Sequence, residues 1–262
     1  MKRELISVCM ATYNGEKYLK EQINSILMQL NDDDEIVISD DGSTDKTISI
    51  INEFNDGRIK LFHHKKEKQK TNFGYVAKNF ENALSKASGD IIYLADQDDV
   101  WLPNKIENQN LALKKSDLVL SDCKIVDESL NVIFSSKFEL ENIRIGFWKN
   151  IYKSGYLGCC MAFRKEILKH ILPIPKNVPH DLWIGLIGGD KYKFALLSVQ
   201  TMLYRRHGNN VSATNPVLVK KEQDLPKNKN TLFFKLWYRF YTIKAYIWSK
   251  FMGMKLEVVK SK

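Results

Sequence analysis

The densest chemistry in the chain is Asp96-Gln97-Asp98-Asp99, three carboxylates within four residues directly behind the apolar stretch 91–95. Carboxylates this close repel one another unless a cation or hydrogen-bond donors neutralise them. Oxygen ligands of this kind suit Mg2+ or Mn2+, which commonly bridge protein carboxylates to substrate phosphates. The same acids would also favour the N-terminus of a helix opening near Pro103. A second acidic turn, Asp40-Asp41-Gly42-Ser43-Thr44-Asp45, offers carboxylates to a base or ribose, with Gly42 free to make a tight turn. An ordinary strand–turn–helix cap is the alternative there. Thr12-Tyr13-Asn14-Gly15 reads likewise as a turn or as a nucleotide-contacting loop.

These clusters need elements to position them. Apolar runs at 5–10, 35–39, 59–63, 90–95 and 118–126 read as strands. Between them, apolar residues at helical spacing (Leu19, Ile23, Ile26, Leu27, Leu30) and (Ile48, Ile51, Phe54) predict helices, the second capped by Ser43. Further helices are expected over 75–87 and, opened by Pro103, over 103–115. This repeated strand–helix–strand order predicts an α/β fold with a doubly wound, mainly parallel sheet. Ligands bind such sheets at the carboxyl ends of their strands, which is where both acidic clusters fall. The second half is less regular: a strand over 156–163, helices over 165–172 and 180–187, and paired strands over 194–203. A polar linker at 216–230 containing Pro226 and an aromatic, basic tail from 231 complete the chain.

Taken in order, the segment Ser7 to Asn14, the turn Ser39 to Asp45, Asn72-Phe73-Gly74 with Lys78-Asn79, and Asp96-Gln97-Asp98 resemble glycosyltransferase family 2 of the GT-A fold over roughly residues 4–212. The form Asp-Gln-Asp-Asp-x-Trp is similar to a bacterial, rhamnosyltransferase-like branch. The resemblance implies transfer of a sugar from a UDP- or dTDP-linked donor to an acceptor hydroxyl, with inversion, in cell-surface polysaccharide or glycoconjugate synthesis. It implies a catalytic domain over 1–215, split near 125 into a nucleotide-sugar half and an acceptor half. Thr12, Tyr13, Asn14, Asp40, Asp41, Asn72, Gly74, Lys78 and Asp96 would bind the nucleotide. Lys78 stands where the family more often has Arg, so a point charge replaces a bidentate grip. Asp98, with Asp96 and His207, would hold Mg2+ or Mn2+. Arg205 and Arg206 would meet the diphosphate, and Gly158, His180 and Trp183 would border the acceptor. The base would be Asp181; His180 occupies the usual place of a Glu and is the reserve base. As a helix N-cap, Asp181 would have a purely structural role. Two other classes compete. A nucleotidyltransferase would want a glycine-rich, basic loop after the first strand, where this chain has Gly15-Glu16. A donor-binding protein without turnover is hinted at only by His180.

The 262 residues, 44% hydrophobic and 27% charged, suffice for one large core. Cys9, Cys123, Cys159 and Cys160 form no C-x-x-C pair and read as buried reduced thiols. The net charge of +9 suits an anionic surface or a phosphorylated substrate. No run of about 20 apolar residues exists to span a bilayer, and no signal-peptide core precedes the first strand. The tail, with Phe233, Trp237, Tyr241 and Trp248 among Lys235, Arg239, Lys244 and Lys250, suits an interfacial helix on an anionic leaflet. A helix packed on the domain is the other reading, and no nucleic-acid motif stands out. The expected setting is cytoplasmic, peripheral on the inner face of the cell membrane, with a carbohydrate or lipid-linked acceptor.

Overall fold

A computed structural model describes residues 3–208 and 232–260, and within the last helix the side chains of 236–251. The expected linker at 216–230 lies outside the described residues. Strands β1 (Ile6–Thr12), β2 (Glu35–Asp40), β3 (Ile59–His63) and β4 (Ile91–Ala95) run parallel in the order β3-β2-β1-β4. They are joined by α1 (Leu19–Leu27), α2 (Thr47–Glu53) and α3 (Asn72–Lys86). Then come β5 (Val100–Trp101), α4 (Lys105–Leu113), β6 (Leu118–Val126), β7 (Val132–Phe134), α5 (Lys137–Glu141), α6 (Phe147–Tyr152), β8 (Met161–Arg164), α7 (Leu168–Ile171), α8 (His180–Lys191), β9 (Phe194–Arg205) and α9 (Leu232–Lys260).

The inner strands are near-continuous apolar runs because both faces of the sheet are covered. Every residue of β2 and β4 is buried. Helix α1 buries Leu19, Ile23 and Ile26 at helical spacing. Helix α3 is capped by Thr71, whose hydroxyl accepts from Gly74 N at 3.1 Å, and buries Ala77, Phe80, Ala83 and Leu84.

Beyond β4 the sheet becomes mixed, in the order β4-β8-β6-β9-β5. Strand β8 is antiparallel to both β4 and β6, whereas β9 is parallel to β6. Instead of two paired strands over 194–203 there is one long strand, β9, whose register against β6 shifts near Asp122. Residues 158–160 form a 3-10 turn, so the strand expected over 156–163 starts only at Met161. Ser43 does not cap α2, which begins at Thr47; its hydroxyl bonds Asp40 instead. The next helix opens at Lys105, two residues past Pro103, because Asn104 takes a left-handed conformation (φ 70°).

At the end of the sheet opposite the acidic clusters, buried Glu35 ties strands together. Its carboxylate accepts from Ser7 Oγ (2.5 Å), Ser88 N (2.7 Å) and Lys60 Nζ (2.6 Å). Gly89 is needed beside it, since an added Cβ would lie 2.7 Å from Ser7 N. Burial opposes ionisation of Glu35, but Lys60 and the Ser7 and Ser88 donors prevail and hold its pKa at about 2. A depressed carboxylate contributes stability above its unfolded pKa and loses it as pH falls toward the folded value. Glu35→Gln is therefore expected to lower urea-unfolding stability by about 2 kcal/mol at pH 7. The gap to the wild type should narrow below pH 4; a pH-independent gap would contradict the ionic origin.

Candidate active site

The carboxyl ends of β1, β2 and β4 converge on one crevice. On the β1–β2 side, the backbone turns are fastened by side chains. Asp40 accepts from Gly42 N (3.0 Å) and Ser43 N (2.8 Å) on one oxygen, and from Thr12 Oγ1 (2.8 Å) and Ser43 Oγ (2.6 Å) on the other. Asp40 and Thr12, both buried, are thus saturated by the protein. This corrects their reading as nucleotide contacts: they shape the turn, with Gly42 at φ 81°. Asn14, also at positive φ, bonds Ser43 and Thr44 and joins the two loops.

Tyr13 and Asp41 stand beside these turns. Tyr13 presents a half-exposed ring, its backbone clasped at both N and O by the Gln97 amide (2.9 and 3.1 Å). Asp41 faces His64 Nδ1 at 2.9 Å and Lys66 Nζ at 3.5 Å, and that ammonium lies 3.9 Å from the Tyr13 ring centre. Asn72 is exposed at the start of α3, and Gly74 is packed under Asn177 and Thr71. Lys78 is corrected: its ammonium is held by Glu81 (2.7 Å) and Ile174 O (2.9 Å) instead of pointing to a phosphate.

The acidic loop leaves β4 and is pinned at its far end. Val100 and Trp101 pair with Leu203 and Met202 of β9, and Trp101 N donates to Ser25 Oγ at 3.0 Å. Gln22 holds Asp96 O at 2.8 Å. Asp98 pairs with His207 Nε2 at 2.7 Å, which unites two of the three expected metal ligands. Asp99 turns inward instead of capping α4 and accepts from Arg205 N at 2.9 Å. Its other oxygen is buried without a well-formed hydrogen bond among the described residues. Potential ligand atoms of Asp96, Asp99 and Cys159 lie within 4.8 Å of one another. Burial and then the Asp98 charge push Asp96 up to about 7, eased by the Cys159 thiol. Burial, then Asp98 and Asp96, drives Asp99 well up as well. Carboxylates burdened in this way fit a divalent cation with oxygen ligands.

Arg205 requires a correction. Its guanidinium is buried and donates to Asp98 O (2.8 Å), Glu128 O (2.7 Å) and the Glu21 carboxylate. It therefore clamps the acidic loop from behind and is not presented to a diphosphate. Half-buried Arg206 donates to Tyr204 Oη at 3.0 Å.

Across the crevice, Asp181 stands in the first turn of α8, and its charge reaches Asp96. Burial lifts its pKa to about 6 against a hydrogen bond from Leu182 N. His180 is stacked on Phe80 (4.1 Å between centroids) and faces Gly158, where an added Cβ would lie 2.5 Å from Nε2. Burial lowers its pKa to about 3, which favours the neutral imidazole and weighs against a role as reserve base. Trp183 is also corrected: it is buried and donates to Ile171 O at 2.9 Å, a core anchor and not an acceptor contact. Cys159 and Lys105 were invisible as site residues in the sequence. Lys105, fully buried, donates to Cys159 O (3.1 Å) and so supports the turn that carries the thiol. Nothing in their local spacing signals either role, because the contact spans 54 residues.

A curled mixed sheet with an acidic crevice at its strand ends defines a GT-A-type transferase. The chain belongs to glycosyl transferase family 2, whose description matches residues 7–172. Over 225 residues it is 36% identical to UDP-Glc:alpha-D-GlcNAc-diphosphoundecaprenol beta-1,3-glucosyltransferase WfgD of Escherichia coli, covering 84% of this chain and 85% of WfgD. It is 28% identical over 246 residues to dTDP-rhamnosyl transferase RfbG of Shigella flexneri, covering 88% and 81%. Among solved structures, S. aureus TarS 1-349 in complex with UDP-GlcNAc has a similar fold (TM-score 0.61, 22% identity), covering 80% of this chain and 61% of that chain.

The clamp on the loop is testable through Arg205→Lys, which keeps the charge and loses the planar fork. Stability to urea is expected to fall by about 1–3 kcal/mol. An unchanged unfolding midpoint with weakened nucleotide binding would instead restore the phosphate role.

Proposed function

We propose that the chain is an inverting glycosyltransferase that moves a sugar from a UDP- or dTDP-linked donor onto a hydroxyl of a carbohydrate or lipid-linked acceptor. It would act in cell-surface polysaccharide or glycoconjugate synthesis at the inner face of the membrane. The observation that carries this reading is the meeting of Asp181 with the Asp96–Asp98 loop in one crevice at the strand ends. No helix among the described residues is long and apolar enough to cross a membrane.

The base of the nucleotide would stack on Tyr13 and donate its imide N–H to Asp41, displacing Lys66. Asp96 would border the ribose, with Asn72 and Gly74 beside the nucleotide. Asp98, with Asp96 and His207, would hold Mg2+ or Mn2+, which when bound supplies positive charge to the diphosphate leaving group. Asp181, as carboxylate, takes the proton of the acceptor hydroxyl as its oxygen attacks the anomeric carbon. The bond from that carbon to the diphosphate oxygen breaks, the nucleoside diphosphate departs, and the anomeric configuration inverts. Burial of Asp181 serves this step: a carboxyl near 6 is a stronger base than an exposed one yet is mostly ionised at neutral pH.

Calorimetric titration of the protein with UDP and with dTDP, with Mn2+, Mg2+ or EDTA, tests the donor site. Metal-dependent binding of one nucleotide, lost in Asp98→Ala, is expected; no binding of either would sink the reading. Once the donor is known, Asp181→Asn should lower kcat by about 10³-fold or more while nucleotide binding persists. In the wild type, kcat/KM should fall on the acid side of about pH 6, where Asp181 takes up its proton. An acid limb unchanged in the residual activity of Asp181→Asn would assign that limb elsewhere.

A further inference from the structure

Helix α9 has two faces with different fates. The inward face packs on the catalytic domain: Thr242 is fully buried, Tyr238 lies 5.9 Å from Phe73, and Tyr246 lies 4.5 Å from Phe147 of α6. Lys250 pairs with Asp190 of α8 at 2.8 Å. The outward face carries Leu236, Phe240, Ile247 and Phe251, which recur at helical spacing and are 49–68% exposed, with Trp248 beside them at 65%. A water-facing helix surface would be expected to carry charges at such positions.

The neighbouring helix α6, packed on α9 through Phe147 and Tyr246, exposes aromatics as well. Trp148 and Tyr152 of α6 are each 74% exposed. Arg239 of α9 joins the helices by donating to Tyr152 O, with its guanidinium 5.0 Å from the Tyr152 ring. Cations accompany the aromatics: Lys149, Lys153 and Lys244 are exposed, and neither α6 nor residues 236–251 of α9 contains an acid. Aromatic side chains beside lysines, without acids, match the acyl boundary and anionic headgroups of a bilayer. A protein partner surface would ordinarily be met by a polar rim of both charge signs, whereas these two helical segments carry basic side chains and no acidic ones.

From this geometry we infer that α6 and α9 together form the docking surface for an anionic lipid bilayer, with Trp148 and Tyr152 engaging it alongside Phe240, Trp248 and Phe251. The inference deepens the peripheral placement proposed above and rests on it: the contact is a surface assembled from two helices about 90 residues apart. Because the inward face of α9 packs beside Phe73, next to Asn72 and Gly74, docking brings the catalytic crevice close to the membrane, where a lipid-linked acceptor would be held.

The test is sedimentation of the full chain with vesicles of phosphatidylcholine alone and of phosphatidylcholine with phosphatidylglycerol at 3:1 (about one lipid in four anionic). Binding to the anionic vesicles is expected, weakened by raised salt and weak on phosphatidylcholine alone. Trp148→Ala with Tyr152→Ala should reduce anionic-vesicle partitioning about tenfold, as should Phe240→Ala with Trp248→Ala. Calorimetric nucleotide binding, measured on the same preparations, reports that each variant is folded and separates failure of the membrane contact from failure of the transferase reading. Wild-type protein that ignores anionic vesicles, or an α6 variant that partitions like the wild type, overturns the inference. So does a dimer that Trp248→Ala converts to monomer without any vesicle binding, because the face would then belong to a second copy of the chain.

Discussion

Mutual repulsion among carboxylates gathered in a poorly hydrated crevice is the constraint around which the rest of the structure is arranged. Ligand atoms of Asp96 and Asp99 fall within 4.8 Å of each other. Two full charges at that separation repel by about 3 kcal/mol at an effective dielectric near 20. Asp98 adds to that burden, and Asp181 adds to it from across the crevice. Such a loop would spread apart if it were not fastened from outside. Strand β5 fastens it to β9, Gln22 holds Asp96 O, and Arg205 grips Asp98 O from behind. The charge tension this preserves is of the kind that a divalent cation with oxygen ligands would relieve.

The two sides of the crevice solve different problems. On the β1–β2 side, Asp40, Ser43, Asn14 and Gln97 use their hydrogen bonds to shape turns, which set Tyr13 and the Asp41–His64 pair side by side at the strand ends. On the α8 side burial dominates. It raises the Asp181 carboxyl to about 6 and favours the neutral form of His180. Adjacent residues in one helical turn thus take different parts because one borders the crevice while the other is pressed between Phe80 and Gly158.

Much of the donor side was legible in the sequence. Apolar runs ending in acids marked β2 and β4, and one ending in Thr12-Tyr13-Asn14 marked β1, since a strand buried on both faces leaves a continuous signature and its polar end a sharp break. Errors concentrated where several polar residues stood together. Arg205, Lys78 and Asp40 have the right chemistry for a phosphate or ribose, yet each is occupied by a protein partner. Residue type alone cannot distinguish an available charge from one already satisfied. The second half of the sheet was less readable because β8 runs against β4 and β6 while β9 runs with β6, and these strands are joined across long separations.

What the sequence by itself determined was local: the strand and helix periods, the turn residues, the order of the motifs and therefore the family. Those features depend on neighbours a few positions away, where propensity and hydrophobic period act. Only the tertiary structure decided which of the acids share a crevice, that Cys159 lies close to Asp96 and Asp99 on a turn braced by Lys105, and that α9 turns one aromatic face to the domain and another outward. Charge coupling and burial fall off with distance through space, and distance through space is set by chain segments that the sequence separates by tens of residues.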